Sequence, residues 1–265
     1  MEEALALLRL WGKSTAEEIN CETDSVAPRN RTLTLSAEEE QRLGKNLIKL
    51  TNPTDLESVL DVTICQECQE ALSFLPNESV DLLFADPPYN IDKDFNGRRF
   101  ASRNLEDYET WLISWMKMIR PILKSTASLY ICGDWRSSTA IHRVLESFNF
   151  HIQNRITWKR EKGRGAKTNW KNASEDIWFA TVSKSDYTFN VDNVKLKRRV
   201  LAPYTDKSGS PKDWNEEAGK RFRLTHPSNI WTDLSVPFWS MPENTDHPTQ
   251  KPEKLLAKIL LASSN

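Results

Sequence analysis

Val80-Asp81-Leu82-Leu83-Phe84-Ala85 passes without a spacer into Asp86-Pro87-Pro88-Tyr89-Asn90. A short apolar run bounded by a turn signal reads as a buried strand. Two consecutive prolines cannot continue it, because neither has an N–H for a ladder and each fixes φ near about −65°. The strand must therefore end in a rigid turn that presents an acid and an aromatic ring. Open α/β sheets bind ligands at the carboxyl ends of their strands. The turn also leaves carbonyl oxygens available as acceptors. A carboxylate beside such a carbonyl suits the two hydrogens of an exocyclic amino group, and the Tyr89 ring offers a base a face to stack on. The bland alternative is a proline turn capped by Asp86.

The surrounding pattern agrees with a sheet flanked by helices. Strands are expected over 62–65, 127–132, 150–158 and 177–182. Helices are expected over 68–75 and 139–148, and a Trp/Met-rich helix should run up to Pro121 with Trp111, Leu112, Trp115 and Met118 as its stripe. Ser36 ahead of Glu38, Glu39 and Glu40 marks a helix start, with Leu43, Leu47, Ile48 and Leu50 as its apolar side. Between about 183 and 246 the periodicity is lost, and the stretch is polar, basic and aromatic. It reads as an insert rather than as sheet. A last apolar helix follows over 254–261. The expected organisation is an N-terminal helical extension (1–60), an α/β domain carrying the proline turn (61–182), an inserted specificity region (183–246) and a helix returning to the α/β domain (247–265).

Composition narrows the functions. The chain has 265 residues and only 8 glycines, no three of them close together, so it carries neither a P-loop nor a dinucleotide fingerprint. No apolar run of about 18 residues is present, so no membrane span is expected. Residues 2 and 3 are both Glu, which disfavours a secretory leader and makes a reducing cytoplasm the expected compartment. Cys65 and Cys68 form a lone C-x-x-C without the second pair or nearby histidines that a zinc site needs, and no metal is expected. The net charge is −1, yet residues 159–223 carry 16 basic and 9 acidic side chains. A local field of that sign suits a polyanion or simply a solvated face.

The segment from Cys68 to Asn90, with its Asp86-Pro87-Pro88-Tyr89, resembles the amino-methyltransferases of restriction–modification systems. A second match lies at His247-Pro248-Thr249-Gln250-Lys251-Pro252, ahead of Leu255 and Leu256. A weaker third comprises Trp158-Lys159, Gly163, Gly165, Trp170, Asn172 and Glu175. The order of the first two is that of the permuted, β-type arrangement. The resemblance covers roughly residues 60–265 and implies a Rossmann-like methyltransferase sheet, S-adenosylmethionine as methyl donor and duplex DNA as substrate.

It further implies that Asp86, Pro87 and Tyr89 act on a flipped adenine, with Asp86 and the Pro87 carbonyl accepting from its N6 amino group. Glu67, Cys68, His247, Thr249, Gln250 and Lys251 would line the cofactor site, although Glu67 stands where the family usually has Asp. Arg98, Arg99, Lys159, Arg160, Arg164, Lys167 and Lys171 are the candidates for phosphate contacts. The family's glycine-rich cofactor loop, Asp-Pro-Phe-x-Gly-x-Gly, has no counterpart among the eight glycines. A complementing polypeptide, a truncated product or a fragment of a longer protein are the expectations that follow, and homodimerisation stays open. Three competing functions also stay open: an inactive DNA-binding remnant, an N4-cytosine enzyme, and an RNA methyltransferase sharing the Asp-Pro-Pro-Tyr turn.

Overall fold

A computed structural model of the chain describes residues 29–95, 98–160, 165–200, 204–210, 212 and 214–265. The first element, helix α1 (Ala37–Gly44), starts with the expected capping box: Ser36 accepts from the Glu39 N–H and the Glu39 carboxylate accepts from the Ser36 N–H. The helix buries no residue and stops at Gly44. Leu47 and Ile48, expected on its apolar side, instead form strand β1 (Leu47–Ile48), paired in parallel with β2 (Thr63–Ile64). Past the glycine, this apolar pair with its β-branched Ile48 gains more from a ladder than from another helical turn. Of the expected helical extension, residues 1–28 lie outside the described residues.

Helix α2 (Cys68–Leu72) leads to β3 (Val80–Ala85), whose bounds are those read from the sequence. A hairpin, β4 (Lys93–Phe95) and β5 (Arg98–Phe100), follows the proline turn. Helix α3 (Leu105–Ile119) is capped by Asn104, which accepts from the Asp107 N–H at 2.8 Å. Its buried face is Tyr108, Leu112, Met116 and Ile119. Trp111, Trp115 and Met118 only flank the core, so the stripe expected from the tryptophans is rotated from the face that packs. Leu112 alone is common to the expected stripe and the buried face, whose 108/112/116/119 spacing, rather than ring size, decides which side packs.

Strand β6 (Leu123–Gly133), helix α4 (Ser138–Ser147), β7 (His151–Lys159) and β8 (Ser174–Thr181) complete most of the sheet. The insert holds β9 (Leu196–Arg199), β10 (Asn215–Glu217) and β11 (Lys220–Thr225), which form their own antiparallel sheet in the order β10-β11-β9. It then departs from expectation: β12 (Ile230–Trp231) is an outer strand of the main sheet, parallel to β7. Trp231 and Leu234 are core residues. Two residues are too few for periodicity to reveal a strand, so the scaffold resumes well before position 247. Helix α5 (Glu253–Ser263) ends the chain.

The main sheet has the order β12-β7-β8-β6-β3. β3 and β6 are parallel, while β8 runs against both β6 and β7. Helices α2, α3 and α4 cover one face, and α5 with Trp158 and Trp231 covers the other. This is the α/β layering anticipated for the chain. It has a consequence for the site: the carboxyl ends of β3, β6 and β7 and the amino end of β8 meet along one margin.

Gly133 closes β6 at that margin. A Cβ there would lie 2.6 Å from Ile141 Cδ1 and 3.0 Å from Ser137 Oγ. Both neighbours are fully buried, so a methyl group must displace α4 from the strand end. Gly133→Ala is expected to cost about 1–3 kcal/mol, read as a lower midpoint in urea. An unchanged midpoint would mean that α4 is not seated against β6 as described. Among the described residues, no helix is long and apolar enough to cross a membrane.

Candidate active site

Asp86 follows the last residue of β3, and the two prolines hold the turn that the sequence requires. Tyr108 of α3, with no exposed surface, donates its hydroxyl hydrogen to the Pro88 carbonyl at 3.0 Å. The Asn90 side chain closes the far end, donating to the Arg103 carbonyl and accepting from the Arg103 N–H, both at 2.7 Å. The β4–β5 hairpin thus rises from a turn clamped on both sides. With Pro88 O occupied by Tyr108, the acceptor pair expected of this turn falls on Asp86 and Pro87.

Tyr89 of the same turn and three side chains from distant segments, Arg160, Glu175 and Lys251, form one cluster with Asp86. Lys251 Nζ lies 2.7 Å from Asp86 Oδ2 and 3.7 Å from Glu175 Oε2. Tyr89 Oη lies 3.1 Å from Asp86 Oδ1 and 3.3 Å from Glu175 Oε2. Arg160 forms an ion pair with the other Glu175 oxygen. Two carboxylates are therefore matched by two cations, with a phenol bridging the carboxylates. The Lys251 and Glu175 side chains are 8% and 6% exposed, so each needs its partners to offset lost hydration. Burial, then the neighbouring Cys132 and Asp86, pushes the Tyr89 hydroxyl well above its ordinary range. It stays protonated and remains a donor at any working pH.

The antiparallel course of β8 explains why Glu175 is here. β8 enters the sheet at this margin, so its first residues face the end of β3 across β6. Residues 174 and 159 are in register on β8 and β7, which sets Arg160 beside Glu175. Lys251 arrives on the loop ahead of α5. There the Gln250 amide accepts from Thr245 N–H at 2.8 Å and donates to the Glu243 carbonyl at 2.5 Å. The Thr249 N–H donates to His247 Nδ1 at 3.3 Å. Gln250 and His247 thus shape the loop that aims Lys251.

A cavity of about 340 Å³ opens beside this cluster. Its wall comprises Trp158, Arg160, Glu175, the 236–239 segment and residues 247–251. It contains His247, Thr249, Gln250 and Lys251, all expected at the cofactor. Glu67 and Cys68 are not brought to it. Glu67 is exposed at the start of α2, and Cys68 packs beside Trp115, with burial raising its thiol pKa. Lys167, Lys171 and Arg99 are exposed, as phosphate contacts require. Lys159 is exposed and has a partner within the chain. Arg98 belongs to β5, and Arg164 lies outside the described residues. Arg160, expected on phosphate, is instead turned inward to Glu175. Glu175 itself had figured only in the weakest sequence match. Its position one residue into a buried strand was the signal that could have raised it.

An acid-bearing proline turn at a strand end, next to a cavity lined by opposed charges and aromatic rings, defines an α/β group-transfer site. The fold is shared with the PvuII DNA methyltransferase (cytosine-N4-specific), at a TM-score of 0.53 and 14% identity, over 77% of this chain and 70% of that one. The profile of the N6/N4 DNA methylase family matches residues 80–265, and the chain belongs to that family. It is 33% identical to the DNA adenine methyltransferase YhdJ of Escherichia coli (strain K12) over 220 residues, spanning 80% of this chain and 70% of YhdJ. It is 28% identical to the type II methyltransferase M.HpaI of Haemophilus parainfluenzae over 203 residues, spanning 76% of this chain and 59% of that enzyme.

Proposed function

We propose that the chain transfers a methyl group from S-adenosylmethionine to N6 of adenine in duplex DNA. The observation that carries this is the Asp86 carboxylate at the strand end, anchored by Lys251 and Tyr89 and followed by Pro87. The cavity suits the donor chemically. Lys251 and Arg160 would face the carboxylate of its amino-acid end, Glu175 the ammonium, and Trp158 and Trp239 offer apolar walls. Bound there, the donor supplies an electrophilic methyl group.

The residues of the chain do the rest. An exocyclic amino nitrogen is a poor nucleophile because its lone pair is conjugated with the ring. Asp86 and the Pro87 carbonyl accept its two hydrogens and draw the lone pair out of conjugation. Lys251 and Tyr89 each hold one Asp86 oxygen, so the acceptor is fixed before the base arrives. Preorganised electrostatics of this kind lowers a barrier without reorganisation during the reaction. The amino group is out of reach inside a duplex, so the base must turn out of the stack. The nitrogen lone pair bonds to the methyl carbon as its carbon–sulfur bond breaks, and the methylated, cationic nitrogen then loses a proton to solvent or to Asp86.

The arrangement is the permuted one, with the catalytic turn at 86–89 ahead of the cofactor loop elements at 247–252. β3 is an outer strand of the main sheet, so a segment carrying the family's glycine-rich loop would pair along it. The β9–β11–β10 sheet is the target-recognition unit. Arg198 and Arg223 lie directly opposite each other there, two basic side chains that suit an anionic partner. Calorimetry tests the whole reading. S-adenosylmethionine should release heat on binding to the chain, or to the chain with a partner carrying Asp-Pro-Phe-x-Gly-x-Gly. DNA binding without any donor binding in either case would replace it with the inactive DNA-binding remnant.

A further inference from the structure

Trp170 is 96% exposed, more than any other large apolar side chain described. Trp135 and Trp239, the next tryptophans, are 64% and 51% exposed, and Trp239 belongs to the cavity wall. An indole left wholly in water has no folding role to explain it, and the only charged residues among its exposed neighbours in 165–172 are cationic. Lys167 and Lys171 are exposed on either side. No acid occurs between Gly165 and Ser174.

The loop is anchored at the catalytic cluster. The Arg160 N–H donates to the Ala173 carbonyl at 2.8 Å, closing the base of the loop. The Arg160 side chain is held by Glu175, which also meets Tyr89. Trp170 is three residues from Ala173, within about 10 Å of chain reach. A free indole with flanking positive charge, hinged beside the acid that handles the base, fits a gap in a base stack.

We propose that Trp170 is a wedge. Its ring enters duplex DNA where the target base has left, while Lys167 and Lys171 meet the flanking phosphates. This rests on the methyl-transfer reading and adds to it a residue that keeps the extruded base from returning. Tyr89 serves the base outside the helix, and Trp170 fills the place it vacated. The proposal needs no change in the folded chain, since the side chain touches nothing that supports it.

Two measurements on the full chain test it, the transfer assay with any complementing segment present. In the first, tryptophan emission is followed while duplex DNA is added. A stacked indole is quenched, so Trp170→Phe should remove most of the DNA-induced quenching. Quenching equal to that of the wild type overturns the wedge. In the second, methyl transfer is compared on a target that is paired and on the same target opposite an abasic site, the target sequence having been mapped by sequencing modified DNA. Trp170→Ala should slow transfer to the paired target about 30-fold and to the unpaired one less than about 3-fold, as base stacking of this kind warrants. Equal loss on both, or loss on neither, overturns it. Quenching that Trp170→Phe removes, with no transfer by the wild type to either duplex, instead defeats the methyl-transfer reading and leaves the wedge standing.

Discussion

Asp86→Ala should lower methyl transfer about 10³-fold, the upper range for removing one preorganised group from a charge-stabilising site. DNA affinity should stay within about 3-fold of the wild type, because phosphate contacts carry most of it. The separation of the two effects is what matters. Asp86 touches Lys251 and Tyr89, and none of the exposed basic loops depends on it. Asp86→Asn should recover part of the loss, since its amide oxygen still accepts one hydrogen from the amino group. Its NH₂ would however face either Lys251 or Tyr89, both donors, so the recovery stays incomplete. Single-turnover transfer of a labelled methyl group, alongside equilibrium DNA binding, reads both quantities. Full activity in Asp86→Ala would remove the carboxylate from the chemistry.

Glu175→Ala should have the largest effect on stability. Removing one partner of a buried ion pair costs about 3–5 kcal/mol, because the remaining charge is left uncompensated. Here the low end applies. Arg160 is 31% exposed and regains water, and Lys251 keeps Asp86 at 2.7 Å. A loss of about 3 kcal/mol corresponds to a melting temperature lower by roughly 6–12 °C for a domain of this size. Glu175→Gln keeps an acceptor for Tyr89 and should lose less. The double change Glu175→Gln with Arg160→Gln should cost less than the two single changes added together, since the pair is then removed as a unit. An unchanged melting temperature in Glu175→Ala would mean that Glu175 does not bear the charges assigned to it.

Much of this arrangement was legible in the amino-acid sequence. Val80–Ala85 could be bounded to the residue because prolines end it and its apolar pattern has no helical option. The Ser36 capping box and the helix after Pro252 were equally plain, since both are local chemistry. What escaped were contacts between segments far apart in the chain. Lys251 and Asp86 are separated by 165 positions, and nothing local to either residue says that they meet. The motif containing Lys251 pointed to a cofactor, and nothing in it announced the ion pair with Asp86. Glu175 was obscure for a related reason: its meaning depends on β8 running antiparallel, which delivers the start of that strand to the ends of the others. The edge strand Ile230–Trp231 was illegible because its two residues owe their conformation to β7 rather than to their own pattern.

The central claim is that the Asp86 turn activates an exocyclic amino group of DNA. The most direct measurement is nucleoside mass spectrometry of duplex DNA after incubation with the chain, any complementing segment, and S-adenosylmethionine carrying a labelled methyl group. The predicted result is labelled N6-methyladenine that disappears with Asp86→Ala. Label on a carbon atom of the base, or label in N6-methyladenine that survives Asp86→Ala, would contradict the account.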